Sequence, residues 1–271
     1  MSLDDLKNSV KIKWNSFDIV LVSSSWDITA KFDIEPNDFL SFAKEDYKIK
    51  DKKGLVGALS NSKRAIDCQV DWIISYLGYN YLDFNDKKYP QVKGMIDEFE
   101  TNVDVHKDSS MKLRFIQSLE LAPIFLISKI RTIRNKLEHE YRLPNESEVR
   151  ESIEVAELFI NATQNIIVNK FSNDCYFGNN YYENSGTWIS PYLEISFNPF
   201  KKHRNTISIR AMEDREGIYG VDSGKSIELK AIDDGYVYFI KSLITQDFSY
   251  LVKAFGDNID EKYIKYTFKD Y

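Results

Sequence analysis

The feature that most constrains this chain is a change in apolar spacing near Phe171. From about residue 52 to 171, apolar residues recur at steps of three and four, which is the spacing of amphipathic helices. After Phe171, short β-branched and aromatic stretches alternate with turn-forming residues, which is typical of strands and hairpins. The sequence therefore predicts an α+β protein. A mixed N-terminal segment (1–51) precedes an antiparallel helical bundle (52–171), and a β-rich or α+β C-terminal domain (172–271) follows.

The first long helix of this bundle is predicted in "GLVGALSNSKRAIDCQVDWIISYLG", which ends at Gly78. A weaker helix is predicted in "QVKGMIDEFE". One apolar stripe defines the first helix, formed by Leu55, Leu59, Ile66, Val70, Ile73 and Leu77.

A second long helix is predicted through "MKLRFIQSLELAPIFLISKIRTIRNKLEHEY". Pro123 should kink it or begin its second half, and Pro144 should end it. A third helix, "NESEVRESIEVAELFINATQNIIVNKF", should begin at a cap formed by Asn145 or Ser147.

The two ends of the chain have weaker patterns. "FDIVLVSSSWDITAKFDI" has strand-like composition, and Asn37 is a candidate cap for a short helix in "EPNDFLSFAKEDYKI". Beyond Phe171, "NDCYFGNNYYENSG" reads as a turn-rich break and "REGIYGVDSG" as a connection. Strands are predicted in "YLEISF", "TISIRAM", "SIELKAI" and "GYVYFIKSL", with a late helix in "DFSYLVKAFG".

Composition excludes several classes of protein. A net charge of −6 argues against a surface built for non-specific DNA binding, although it leaves room for a small basic pocket. The chain start lacks the features of a signal peptide, and its longest apolar run is too short to cross a bilayer, so we expect a soluble, cytoplasmic protein without membrane contacts. Two cysteines provide neither a disulfide framework nor a thiolate metal site, and we expect both to be buried.

The stretch "RTIRNKLEHEY", residues 131–141, places cations and an imidazole on one predicted helix. Arg131, Asn135 and His139 are aligned at four-residue steps, whereas Arg134 and His139 lie ~140° apart around the helix axis. One helix therefore does not bring the last two side chains together, but two copies packed antiparallel across a two-fold axis could. The apolar arc that should face the bundle core contains Leu126, Ile130, Ile133, Leu137 and Tyr141.

The segment "RNKLEH" resembles the motif of the HEPN superfamily, an arginine and a polar residue followed by three residues and a histidine. The next residues, "EY", extend it to the R-x4-H-x-Y form of HEPN toxins from bacterial toxin–antitoxin pairs. The helix containing "SNSKRAIDCQ" and the helix after Pro144 also look like parts of the HEPN bundle. This resemblance covers residues 52–171, which is under half of the chain.

The resemblance implies metal-independent cleavage of RNA in the cleft of a homodimer, with no cofactor, by a toxin or phage-defence ribonuclease. His139 would then be the acid–base group, because an imidazole titrates near ~6.5 and can both accept and return a proton. Arg134 would stabilise the charge that develops on the phosphate. Asn135 would orient His139 or hold a phosphate oxygen, and Arg131 and Arg142 would contact the RNA.

The R-x4-H-x-Y form also implies a partner protein, an antitoxin or a nucleotidyltransferase. A partner nucleotidyltransferase would silence the enzyme by AMP transfer to the tyrosine. Tyr141 occupies that position, although its place at the edge of the apolar arc equally predicts a core role.

Less specific interpretations account for the same residues. Arg134 and Glu138 can form an ordinary ion pair on a solvated helix face. The bundle can also serve as a non-catalytic RNA- or protein-binding module with a C-terminal recognition or sensor domain. His106 reads as a loop residue, and His203 as part of a basic turn that is either a solvated hairpin or a contact to RNA. The tyrosines of "CYFGNNYYE" suit either a β-rich core or base stacking.

Overall fold

The structure is a computed structural model, and it divides into two compact units. A helical unit comprises Asp27–Tyr76 and Asn80–Asn169, and a sheet unit comprises Met1–Trp26, Leu77–Tyr79 and Lys170–Tyr271. The N-terminal segment 1–51 is therefore shared between the two units rather than being a separate part of the chain. The structure describes residues 1–22, 32–102, 109–122, 124–179, 181–182, 187–188, 191–198, 205–215 and 218–269.

The helical unit is organised around one long central helix, α3, which packs against four of the others. A 3₁₀ turn at Tyr81–Asp83 and a π-helical turn at Ile166–Lys170 complete the regular structure that is described between residues 32 and 170. The α-helices are α2 (Pro36–Ile49), α3 (Lys52–Tyr76), α4 (Pro90–Asn102), α5 (Met111–Ser118), α6 (Ile124–Glu140) and α7 (Glu146–Asn165).

The apolar stripe predicted for α3 is confirmed, since its six residues are at most 7% exposed. The buried Gln69 amide of α3 donates to the Thr163 hydroxyl of α7 over 3.0 Å. Gly78 follows the helix in the left-handed region at φ +88°, where a Cβ would lie 2.6 Å from the Tyr236 hydroxyl. The predicted stop at this glycine is therefore also confirmed.

The second predicted helix is two helices, because α5 ends at Ser118 and α6 begins at Ile124. Glu120 lies between them in the left-handed region at φ +59°. Pro123, where we predicted a kink or a restart, lies outside the described residues, but α6 begins at the next residue.

Of two predicted helix caps, one is confirmed and one is wrong. Asn145 caps α7, since its side chain accepts a hydrogen bond from the Glu148 N–H over 2.9 Å. The cap of α2 is Glu35 rather than Asn37. Pro36 explains the difference. Proline is favoured at the first helical position, so the cap is the residue directly before it, Glu35.

The sheet unit contains one sheet of six described strands in the order β7-β6-β5-β2-β1-β8, and a separate β3–β4 pair. Neighbouring strands are antiparallel except β1 and β8, which are parallel with Ile19 opposite Phe268. The elements are α1 (Leu3–Val10), β1 (Phe17–Val22), β2 (Asp174–Gly178), β3 (Tyr181–Tyr182), β4 (Thr187–Trp188), β5 (Tyr192–Asn198), β6 (Thr206–Arg215), β7 (Ile218–Leu229), α8 (Tyr236–Thr245), α9 (Tyr250–Ala254) and β8 (Tyr266–Lys269).

Phe255 lies at the centre of the aromatic core of this unit. Its ring centroid is 5.3 Å from that of Phe239, 5.8 Å from that of Phe177 and 5.9 Å from that of Trp14. These rings come from α8, from β2, from the segment before β1 and from the end of α9. The core therefore joins the first 22 residues to the C-terminal hundred.

Three predictions for this unit are wrong. Most of "GYVYFIKSL" forms α8 and not a strand. This helix is buried on nearly every side, and a short apolar run rich in aromatic residues does not distinguish a buried helix from a strand. The "turn-rich break" contains β2, a central strand, and "IYGVDSG" belongs to β7, which pairs with β6. The late helix is shorter than predicted, and β8 was not predicted.

The two cysteines differ in burial. Cys175 is fully buried, as predicted, whereas Cys68 is partly exposed. Among the described residues, none of the helices has the length and apolar character needed to cross a bilayer.

Candidate functional site

The candidate site lies on the second half of α6, beyond the part of the helix that is anchored in the core. Ile127 and Ile130 are each 2% exposed, and the Lys129 ammonium lies 2.5 Å from the Glu151 carboxylate of α7. Further along, Ile133 and Leu137 are only partly buried, although we predicted them as core residues. The second half of α6 therefore keeps an apolar strip that the helical unit covers incompletely.

Tyr141 lies just beyond the end of α6 and is exposed to solvent. The helix ends at Glu140, and Tyr141 takes a left-handed φ of +55° with 89% of its surface exposed. The next N–H, of Arg142, donates to the Lys136 carbonyl over 3.3 Å. The predicted core position of Tyr141 is wrong, because a helical wheel does not extend past a residue in this conformation.

Arg134 is held by an ion pair within α6. Its Nη2 lies 2.6 Å from Oε1 of Glu138, one turn later, and the two side chains are 38% and 41% exposed. An exposed pair of this kind is worth only ~0.3–0.5 kcal/mol. The guanidinium is thus accessible, and a phosphate can compete for it.

His139 and Asn135 are exposed side chains one helical turn apart. Within the part of the chain that the structure describes, no hydrogen bond or ion pair joins either of them to another residue. The imidazole of His139 is therefore open to a ligand on this surface.

The two other arginines predicted to contact RNA differ in their surroundings. Arg142 lies 3.2 Å from the Glu148 carboxylate, which also accepts the Asn145 N–H at the cap of α7. This contact ties the end of α6 to the start of α7, so that Arg142 has a structural role here. Arg131 is partly buried.

The spacing on the helix places Arg134 and His139 ~140° apart around the α6 axis, as the wheel predicts. Both are accessible, but a single helix cannot direct both at one phosphate.

The carboxylates of Glu138 and Glu148 are site residues that we did not single out as such. The i, i+4 spacing marks Glu138, whereas the Arg142–Glu148 contact crosses the Pro144 turn and has no sequence signal.

The remaining histidines cannot be placed relative to this site, since His106 and His203 lie outside the described residues. Across the described ranges, no group of three or more His, Cys, Asp or Glu side chains is arranged to hold a metal ion.

Comparison of the chain with protein-family models, with curated proteins and with solved structures finds no match.

Proposed function

We propose that this chain is a metal-independent endoribonuclease of the HEPN toxin or phage-defence type, active as a homodimer. One observation supports the proposal above the others. Arg134 and His139, both accessible, share the second half of α6 with a partly exposed apolar strip that a second copy can cover. The residue types supply the charge and the proton transfer that RNA cleavage needs.

The chemistry proposed is attack of a ribose 2′-oxygen on the adjacent phosphorus. His139 accepts the 2′-OH proton, or in its protonated form donates a proton to the departing 5′-oxygen. The bond from phosphorus to the 5′-oxygen breaks, which leaves a 2′,3′-cyclic phosphate and a 5′-hydroxyl. Arg134 offers two parallel N–H donors to the phosphate oxygens as negative charge develops on them.

A dimer is part of the proposal because of the angle between the two side chains. In an antiparallel pair of α6 helices, His139 of one copy can face Arg134 of the other across one groove. The surface for such contact is available on each protomer. Ile133 and Leu137 are partly exposed, Leu143 is 42% exposed, and Tyr141 is 89% exposed.

Regulation by partner proteins belongs to the same proposal. The Tyr141 side chain is accessible to a modifying enzyme, which supports its proposed role as the acceptor of AMP. An antitoxin that covers the end of α6 would block Arg134, His139 and Tyr141 together.

The test is incubation of labelled RNA with the purified protein and excess chelator, followed by analysis of the product ends. We expect cleavage that leaves 2′,3′-cyclic phosphate and 5′-hydroxyl ends. RNA that stays bound and intact would contradict the proposal and favour the non-catalytic RNA-binding module. Cleavage that stops on chelation and leaves 3′-hydroxyl ends would contradict it as well.

Removing the carboxylate that holds Arg134 should make the enzyme faster. We expect Glu138→Gln to raise kcat/KM for RNA about twofold, because the phosphate then no longer competes with the Glu138 carboxylate for Arg134, and an ion pair of this kind is worth only ~0.3–0.5 kcal/mol. The matched control is Glu140→Gln, which removes the same charge from an exposed position two residues away. Equal rates for the two variants would show that the Arg134–Glu138 contact does not limit RNA binding.

A further inference from the structure

The cations on and directly after α6 differ in whether a carboxylate of the protein already neutralises them. Arg131 has a contact of its own. Lys136 is partly exposed, and among the residues that the structure describes no hydrogen bond or ion pair involves its ammonium. Its charge is therefore available to an anion. Three other cations form ion pairs with glutamates at distances of up to 3.2 Å: Lys129–Glu151, Arg134–Glu138 and Arg142–Glu148.

Lys136 lies on the His139 side of α6. The two residues are three positions apart within the regular helix, so they are surface neighbours, ~60° apart around the axis and ~4.5 Å apart along it. Arg134, by contrast, lies ~160° away from Lys136 around the axis. Each protomer therefore presents Lys136 together with its own His139, and in the proposed dimer both face Arg134 of the other copy.

One carboxylate can compete for the Lys136 ammonium. Glu140 follows Lys136 by four residues, which is the spacing of an intrahelical ion pair. Across the described ranges, however, no ion pair joins the two side chains. Glu140 is exposed, and even a formed pair at such a position is worth only ~0.3–0.5 kcal/mol. Glu140 is therefore a weak competitor for an RNA phosphate.

We propose that Lys136 binds the RNA phosphate next to the one that is cleaved, in the groove that contains His139 of the same copy. This inference rests on the proposed ribonuclease function and adds a substrate-binding residue to it. The cleaved phosphate is assigned to Arg134 and His139, and Lys136 lies about one helical turn further back on α6. A lysine ammonium binds phosphate as a compact point charge, which holds a strand without bidentate geometry.

The first test measures binding of an uncleavable probe, a single-stranded RNA oligonucleotide with 2′-fluoro groups in place of its 2′-hydroxyls. Loss of one phosphate contact should lower the slope of log K against log salt concentration by about 0.7. We expect Lys136→Gln to show this change and to bind about fivefold more weakly at about 0.1 M salt. Lys136→Arg keeps the charge and should bind within about twofold of the wild type.

The matched control is Lys129→Gln, which removes the same charge from the same face of α6, two turns earlier. The Lys129 ammonium is already paired with Glu151, so we expect little change in the salt slope or in affinity. Both variants should fold, because the side chains lie on the surface of α6 and neither is buried.

The second test uses cleavable RNA. We expect Lys136→Gln to raise KM and to leave kcat within about twofold, because a contact to a phosphate that does not react is made equally before and in the transition state. A fall in kcat with unchanged KM would overturn the assignment of Lys136 to the neighbouring phosphate.

Failure of this inference is distinguishable from failure of the proposed function. If the wild type cleaves RNA but Lys136→Gln keeps the salt slope and affinity of Lys129→Gln, the role of Lys136 is overturned and the ribonuclease proposal stands. If the wild type binds the probe with a slope that depends on Lys136 but cleaves no RNA, the phosphate contact stands and the ribonuclease proposal fails. A wild type that does not bind the probe would contradict both.

Discussion

Replacing His139 by alanine lowers the rate of RNA cleavage by about 10²–10⁴-fold, the contribution expected of a positioned acid–base group. The side chain is exposed and makes no described hydrogen bond or ion pair, so the variant should fold as the wild type does. The rate is measured under single-turnover conditions with excess protein, which separates chemistry from product release.

The matched control for this variant is Glu140→Ala, which alters the next residue on the same exposed helix end. It should cleave RNA at least as fast as the wild type, while His139→Ala should still bind RNA. Equal cleavage by wild type and His139→Ala would end the assignment of His139 as the acid–base group.

Replacing Arg134 by alanine should lower the cleavage rate by about 10²–10³-fold, the loss expected when one donor to a developing oxyanion is removed. Arg134→Lys should recover only part of this loss, because an ammonium keeps the charge but not the two parallel donors. Loss of the Arg134–Glu138 pair itself should change the free energy of unfolding by only a few tenths of a kcal/mol.

Arg150→Ala is the control for charge alone. Arg150 is 64% exposed on α7 and has a comparable partner, Glu154, at 3.8 Å. It should cleave RNA nearly as fast as the wild type. A similar loss in Arg150→Ala and Arg134→Ala would assign the effect to general electrostatic attraction of RNA rather than to a specific phosphate contact.

The parts of the fold that were predicted correctly are those with a strong local period. The apolar stripe, five of whose six residues lie in α3, and the Asn145 cap at the start of α7 are both set by residues close together in the sequence. The β1–β8 pairing could not be predicted, because it joins Phe17–Val20 to Tyr266–Lys269 across most of the chain. A strand register of that kind leaves no local signal in one sequence.

Limits of the same kind apply to the candidate site. The helical wheel correctly predicts that Arg134 and His139 diverge on α6, because both lie inside the regular helix. It fails for Tyr141, which lies just beyond the last helical residue and takes a left-handed conformation. The incomplete burial of Ile133 and Leu137 depends on which neighbouring helices reach them, and periodicity alone does not contain that information.

The shared site is tested most directly by co-expression of two inactive proteins, Arg134→Ala and His139→Ala, that carry different affinity tags. In a heterodimer with shared sites, one groove pairs the intact arginine of one protomer with the intact histidine of the other. Random pairing should then restore about a quarter of the wild-type activity, since half of the dimers are mixed and one of their two sites is complete. Co-expression of His139→Ala with the double variant controls for wild-type contamination and should restore none. If the purified heterodimer cleaves RNA no faster than either parent, the site does not combine Arg134 and His139 from two copies of α6, and the central claim is wrong.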